Sequence, residues 1–139
     1  MVGWPLKLTV LFGVVVVTPS GHDGTLWGIG ENNNGQLADG TVTNRSSPVQ
    51  VGALTTWSTI GCGVAAGYGV KTDGTLWSWG QGVSGQLGLG NTTYYSSPVQ
   101  VGALTTWTRV KGGYKWAAGV RTDGKLFTWG DNFVGALGQ

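Results

Sequence analysis

The twelve residues from Ser46 to Trp57 read SSPVQVGALTTW, and the same twelve letters return from Ser96 to Trp107. The step is 50 residues, long enough for one supersecondary unit per copy and typical of propellers and solenoids. Outward from this string, DGTLW spans Asp23 to Trp27 and Asp73 to Trp77, with DGKLF at Asp123 to Phe127. A third signature follows each: Gly35-Gln36-Leu37, Gly85-Gln86-Leu87 and Gly135-Ala136-Leu137. The 139 residues thus pass three times through one pattern, the last pass cut short.

Composition narrows the architecture. Glycine takes 27 positions, charged residues 10% and hydrophobic residues 40%, with eight Trp. The glycines follow no three-residue period, which excludes collagen, and the apolar content excludes charge-driven disorder. A helical bundle is excluded as well, because each interior glycine costs a helix about 0.5–1 kcal/mol. What remains is a turn-dense β protein.

Alternation and turn chemistry place four strands per copy, at Pro98 to Val101, Thr106 to Lys111, Trp116 to Thr122 and Lys125 to Trp129. Asp73-Gly74 and Asp123-Gly124 are read as type I′ hairpin turns. Leu76 and Ser78 alternate with Trp77 and Trp79, so one face is expected to bury aromatic rings. Gly80 to Ser97 lacks apolar periodicity and reads as a long structured loop. Four strands and such a loop make one β-propeller blade. The expected fold is all-β, a partial propeller of about three four-stranded antiparallel blades: degenerate 4–52, complete 53–102 and incomplete 103–139.

Lys7 followed by the apolar run Leu8 to Val17 resembles a secretory signal and is too short for a membrane span. Trp4 argues for strands instead. Trp57 and Trp107 each precede their Asp-Gly turn by 16 positions and Trp4 by 19, so three extra residues within Thr18 to His22 restore the register. Trp4 to Thr18 then supplies two strands of the first copy.

Three strings together carry a family likeness: Asp73 to Gly80 (DGTLWSWG), Gly85 to Gly90 (GQLGLG) and Ser97-Pro98-Val99, preceded by Ile60-Gly61-Cys62-Gly63. They resemble the RCC1-like repeats of the regulator of chromosome condensation type, over about Asp23 to Gln139. The resemblance implies a propeller, usually seven-bladed with four-stranded blades. The family often has a His a few residues after Cys-Gly, where this chain has Ala66 and Trp116. Fewer than three blades cannot close a ring. The expectation is a fragment of a longer protein, the alternatives being a ring of several chains or an open stack with exposed edges.

Chemistry-bearing residues are few: one His, one Cys and six carboxylates. Asp23, Asp73 and Asp123 sit at turns, His22 is read as a loop residue and Cys62 as a small buried strand residue. No triad or His/Cys metal set can be assembled, and no cofactor is expected. Gly80, Gly82 and Gly85 spell GxGxxG after a strand, but more glycine and another strand follow, not the helix a dinucleotide needs. Asn44-Arg45-Ser46 and Asn91-Thr92-Thr93 fit the N-glycosylation pattern in Ser/Thr-rich loops.

The expected role is a non-enzymatic scaffold or interaction module of a prokaryotic or viral-type protein, extracellular or virion-associated with a cytoplasmic location as the alternative, and with a protein or surface glycan as partner. Missing blades would come from a longer chain or from self-association. Nucleic acid is a weaker expectation at a net charge of +2. The resemblance supplies the alternative, guanine-nucleotide exchange on a small GTPase or a chromatin-associated role. The candidate surface is Tyr94 and Tyr95, which replace Asn44 and Arg45 in the repeat, with the basic residues Arg109, Lys111, Lys115, Arg121 and Lys125.

Overall fold

The computed structural model describes residues 6–11, 14–19 and 24–138. Eleven strands form three antiparallel sheets among the described residues. The first holds β1 (Leu6–Leu11), β2 (Val14–Pro19), β3 (Trp27–Gly30) and β4 (Arg45–Gln50), paired in that order. The second repeats it with β5 (Trp57–Cys62), β6 (Ala66–Lys71), β7 (Leu76–Gly80) and β8 (Tyr95–Gln100). The third has three strands, β9 (Trp107–Gly112), β10 (Trp116–Arg121) and β11 (Leu126–Gly130). The all-β, partial-propeller expectation is met. The apolar run near the N-terminus is two paired strands, β1 against β2 with Leu6 opposite Pro19, and the proposed three-residue insertion falls largely outside the described residues.

The hairpins explain much of the glycine and correct the turn type. Gly74 has φ +79°, whereas Asp73 is not among the positive-φ residues. Gly74 N donates to Lys71 O at 2.9 Å and Lys71 N to Thr75 O at 3.0 Å. This is a type I turn closed by one left-handed glycine, a three-residue loop rather than type I′. Asp73 is chosen for its side chain: Oδ1 accepts from Thr75 N at 3.0 Å and Thr75 Oγ1 at 2.6 Å. Gly124 has φ +78° and Asp123 Oδ1 accepts from Lys125 N, so the third sheet repeats the device.

The loop in the second repeat is shorter than its composition suggests, because Tyr95 to Ser97 already belong to β8. These residues pair with β7 in a register that shifts between Ser78 and Gly80. The irregularity admits Ser and Pro into an outer strand.

Packing differs from a one-sided amphipathic sheet. Leu76, Ser78 and Trp79 are all buried, because the second sheet is sandwiched between its neighbours. Trp57, Cys62 and Trp79 pack against Leu26, Leu37 and Val51 of the first repeat. Tyr68, Val70, Leu76 and Leu87 pack against Trp107, Val110 and Ala117 of the third sheet. Each fully buried Leu contributes about 1.5–3 kcal/mol.

Two bonds tie sheet to sheet at the same place in the repeat. Trp79 Nε1 donates to Gln36 O at 3.0 Å, and Trp129 Nε1 to Gln86 O at 2.9 Å. The rings also meet edge to face, Trp57 with Trp79 at 5.7 Å and Trp107 with Trp129 at 6.0 Å. The rings need glycine seats: a Cβ at Gly69 would lie 2.5 Å from Trp57 Cζ3, and one at Gly119 would lie 2.7 Å from the same atom of Trp107.

Candidate interaction surface

The reactive side chains are engaged locally. Cys62 is buried, and burial pushes its thiol up to about 11, so it stays protonated at neutral pH and is a poor nucleophile. Asp73 and Asp123 are held below the usual carboxylate range, Asp73 chiefly by its Thr75 hydrogen bonds and Asp123 by the Lys125 amide. Glu31 accepts from Asn33 Nδ2, and Asp131 from Phe133 N. Among the described residues no group of three or more His, Cys, Asp or Glu could hold a metal ion. His22 lies outside the described residues. Gly80, Gly82 and Gly85 lead through turns into β8, with no helix following.

Sequence reasoning missed the most organised polar cluster. Asn32, fully buried, donates through Nδ2 to Asp39 Oδ1 at 3.1 Å and to Thr41 O at 3.0 Å, and accepts from Leu37 N at 2.9 Å. Arg45 Nε reaches Asp39 Oδ2 at 2.7 Å, with an accompanying ion pair. Burial would raise the Asp39 carboxyl, but bonds from Thr41, Arg45 and Asn32 hold it below 3.8. Fifty residues on, the positions are Gly82, Leu89, Asn91 and Tyr95, with Leu89 and Tyr95 packed on the core. The cluster is thus replaced as a set, and a repeat-by-repeat comparison of these four positions is the signal that could have revealed it.

The predicted surface residues do not converge. Tyr94 is exposed in the loop before β8, its hydroxyl 3.3 Å from Gln81 Nε2. Tyr95 is half-buried and accepts from Asn91 Nδ2. Arg109 and Lys111 are exposed on β9. Lys115 lies in the β9–β10 turn, with Nζ 5.4 Å from the Tyr114 ring centroid. Arg121 ends β10, over Phe127 at 5.5 Å, with Nε donating to Thr106 Oγ1 at 2.9 Å. Lys125 pairs with Asp123 across the hairpin turn at 3.5 Å.

A second surface feature lies where the first two repeats meet. An open groove of about 320 Å³ is lined by Trp57, Trp77, Lys71, Leu54 and Pro98. The Lys71 ammonium stands 3.5 Å above Trp77 and 5.2 Å from Trp57. Partial burial lowers its pKa, against an opposing pull from Asp73. Arg121 over Phe127 is the repeat-equivalent pair.

Three solved structures share this architecture. Human WBSCR16 overlays with a TM-score of 0.73 at 22% identity, covering 87% of this chain and 32% of its own. Yeast RCC1 (Prp20) bound to Kap60 gives 0.75 at 17% identity, with 94% and 30% covered. Prp20p from Saccharomyces cerevisiae, in a structure whose description includes its binding properties to Gsp1p and histones, gives 0.78 at 16% identity, with 95% and 33% covered. The chain spans about a third of the length of these proteins. No protein of curated function matches it. The family model for the regulator of chromosome condensation (RCC1) repeat matches residues 23–66 and 73–119. Those two spans take in most of the chain and most of two turns of the 50-residue pattern, including the Trp79–Gln36 junction, and the chain belongs to the RCC1 repeat family.

Proposed function

We propose that the chain is a non-catalytic propeller module, of a prokaryotic or viral-type protein, that holds out loops for contact with a protein partner. Its units are 4–52, 53–102 and 103–139. One observation carries this reading: each described carboxylate, like the single thiol, is absorbed in a turn, a loop network or the core. Large apolar side chains stand out on the loops instead, with Val83 50%, Phe133 93% and Tyr94 46% exposed. Val83 and Phe133 are repeat-equivalent, so successive loops present apolar tips in the same place. Tyr94, Tyr95, Arg109, Lys111, Lys115, Arg121 and Lys125 would then act as separate contacts on different loops and edges, not as one basic patch. Yeast Prp20p, similar in fold, is described with binding to Gsp1p and histones, which supports protein binding as the class of function.

The test is cross-linking of purified protein to its co-expressed partners, repeated with Tyr94→Ala/Phe133→Ala. Loss of a specific adduct in that variant supports the reading. Acceleration of nucleotide release from a Ran-type GTPase at catalytic concentrations would refute it in favour of exchange activity. Retention on a glycan array, with no protein adduct, would transfer the function to a surface glycan.

A further inference from the structure

The groove between the first two repeats is organised by the pairing of β5 with β6. Lys71 lies directly opposite Trp57, and directly opposed side chains share a face, so the ammonium is held between the Trp57 and Trp77 rings. Its charge is not answered. Among the described residues Lys71 forms no ion pair, and Asp73 attracts it without bonding to it. The carboxylate that also lines the groove, Asp39, is spent on Arg45, Thr41 and Asn32. The Trp57 indole N–H is buried and meets no acceptor among the described residues. A Cβ at Gly69 would meet Cζ3 and Cε3 of that ring, so its benzo edge faces β6 and the edge carrying the N–H is turned away. Val51, Leu54 and Pro98 make the remaining walls apolar.

One repeat later the residues change and the chemistry stays. Lys71 becomes Arg121 and Trp77 becomes Phe127. Arg121 is again opposite an indole, that of Trp107, and again stands over the neighbouring ring, at 5.5 Å. Trp107 meets Phe127 edge to face at 5.5 Å, as Trp57 meets Trp77 at 6.4 Å. The Trp107 N–H also lacks an acceptor among the described residues. Leu54 and Leu104, from the repeated string, stand out at 47% and 46% exposure. Packing alone would be served by an uncharged side chain, yet both copies keep a cation.

The chemistry of the occupant follows by exclusion. One face of Trp77 already carries the chain's own ammonium at 3.5 Å, which closes that face to a sugar ring and repels a cationic ligand. A single cation among apolar walls does not suit a run of phosphates, which is held by several. A carboxylate next to an apolar side chain matches both parts of the lining, and about 320 Å³ takes a side chain or two rather than a folded element.

We propose that this groove binds a short acidic segment of a partner protein, with one carboxylate at Lys71 and a neighbouring bulky apolar side chain against Leu54, Val51 and Pro98. Trp107, Arg121 and Phe127 form a second copy of the site. The inference goes beyond the loop-tip reading and stands without it, because Trp77 pairs with Gln100, at the far end of β8 from Tyr94.

The probes are short peptides alternating Glu with Leu or Phe, and the same peptides with Gln in place of Glu, titrated into the full chain by fluorescence anisotropy and by indole NMR. The Glu peptides are expected to bind at least about 10-fold more tightly than the Gln peptides, the size of one charge-assisted contact, and to shift the Trp57 and Trp77 indole signals. Lys71→Met/Arg121→Met should abolish that preference and Lys71→Arg, the second copy's own residue, should keep it. Unchanged exchange protection of the Trp79 indole verifies that the junction is folded in each variant. Tyr94→Ala/Phe133→Ala should bind the Glu peptides as the native chain does. Loss of binding in that variant alone would move the peptide to the loop tips, overturning this site while leaving the loop reading in place. Equal binding of Glu and Gln peptides, binding of neither, or a preference that survives Lys71→Met/Arg121→Met overturns the proposal. So does a shift of the Trp77 signal by an oligosaccharide or by duplex DNA but not by the Glu peptides.

Discussion

The carbonyl of Gln86 accepts two donors, the buried Tyr68 Oη at 2.9 Å and the partly buried Trp129 Nε1 at 2.9 Å. Among the described residues the carbonyl of Gln36 accepts one, Trp79 Nε1. The two junctions should therefore respond differently to the same chemistry. Trp79→Phe strands a buried acceptor, which costs about 1–3 kcal/mol, and the smaller ring leaves a void worth about 1 kcal/mol more. The expected loss is about 2–4 kcal/mol, a fall in Tm of about 10 °C for a chain of this size. Tyr68→Phe removes one of two donors and leaves the carbonyl satisfied, so it should cost only about 0.5–1.5 kcal/mol. Combining Tyr68→Phe with Trp129→Phe strands Gln86 O, and the pair should lose about 1 kcal/mol more than the sum of the singles. Urea unfolding at constant m, with indole exchange on each variant, measures these quantities. A Tyr68→Phe loss as large as that of Trp79→Phe, or strict additivity of the double variant, would refute the argument.

Four further outcomes follow from the described contacts. Gly74→Ala should lose more stability than Gly85→Ala by thermal melting. Both glycines have positive φ, costing alanine about 1–2 kcal/mol, but only a Cβ at Gly74 collides with Thr105 O, while Gly85 faces open space. Asp39→Leu alone should destabilise by about 1–3 kcal/mol through orphaned buried donors. The concerted change Asn32→Gly, Asp39→Leu, Thr41→Asn, Arg45→Tyr should restore most of that in denaturant titrations, because it installs the second repeat's set. Since the folded Asp39 carboxyl lies below 3.8, its contribution is present above that pH and lost as pH falls through the lower folded value; Asp39→Asn should flatten that part of the acid limb in pH-dependent melts. Cys62, buried and protonated, should resist iodoacetamide at neutral pH until the chain unfolds, as followed by intact mass.

The blades were legible because duplication displays the same physical solution more than once. Trp77, Trp79 and Gly80 recur as Phe127, Trp129 and Gly130, so strand, ring and glycine positions could be read against each other. The turn type was not legible. Asp-Gly is compatible with two hairpin geometries, and the choice depends on where the Asp73 carboxylate finds Thr75. Burial on both faces of the second sheet also escaped alternation, which describes a sheet with one wet side. The basic residues of the last third looked like one patch because they are close in sequence. Lys111 and Arg121, though, lie at opposite ends of the sheet, because β9 and β10 are antiparallel and Arg121 is opposite Trp107, and Lys125 is tied to Asp123. The Asn32–Asp39–Arg45 cluster joins residues whose partners lie 6 to 9 positions away, which follows neither strand nor helix period.

The bonds from Trp79 to Gln36 and from Trp129 to Gln86 each span 43 residues. An offset shared by successive junctions makes the units exchangeable in the genetic sense. Removal of residues 53–102 would join Gly52 to Ala103, two residues that already follow one another as Gly102-Ala103 and Gly52-Ala53. It would also bring the Trp129 indole to the Gln36 carbonyl at the same spacing that Trp79 uses now. Unequal recombination in steps of 50 residues thus passes through chains whose donors and acceptors are already matched, and such a gene can lengthen or shorten its stack without an intermediate that must evolve a new junction.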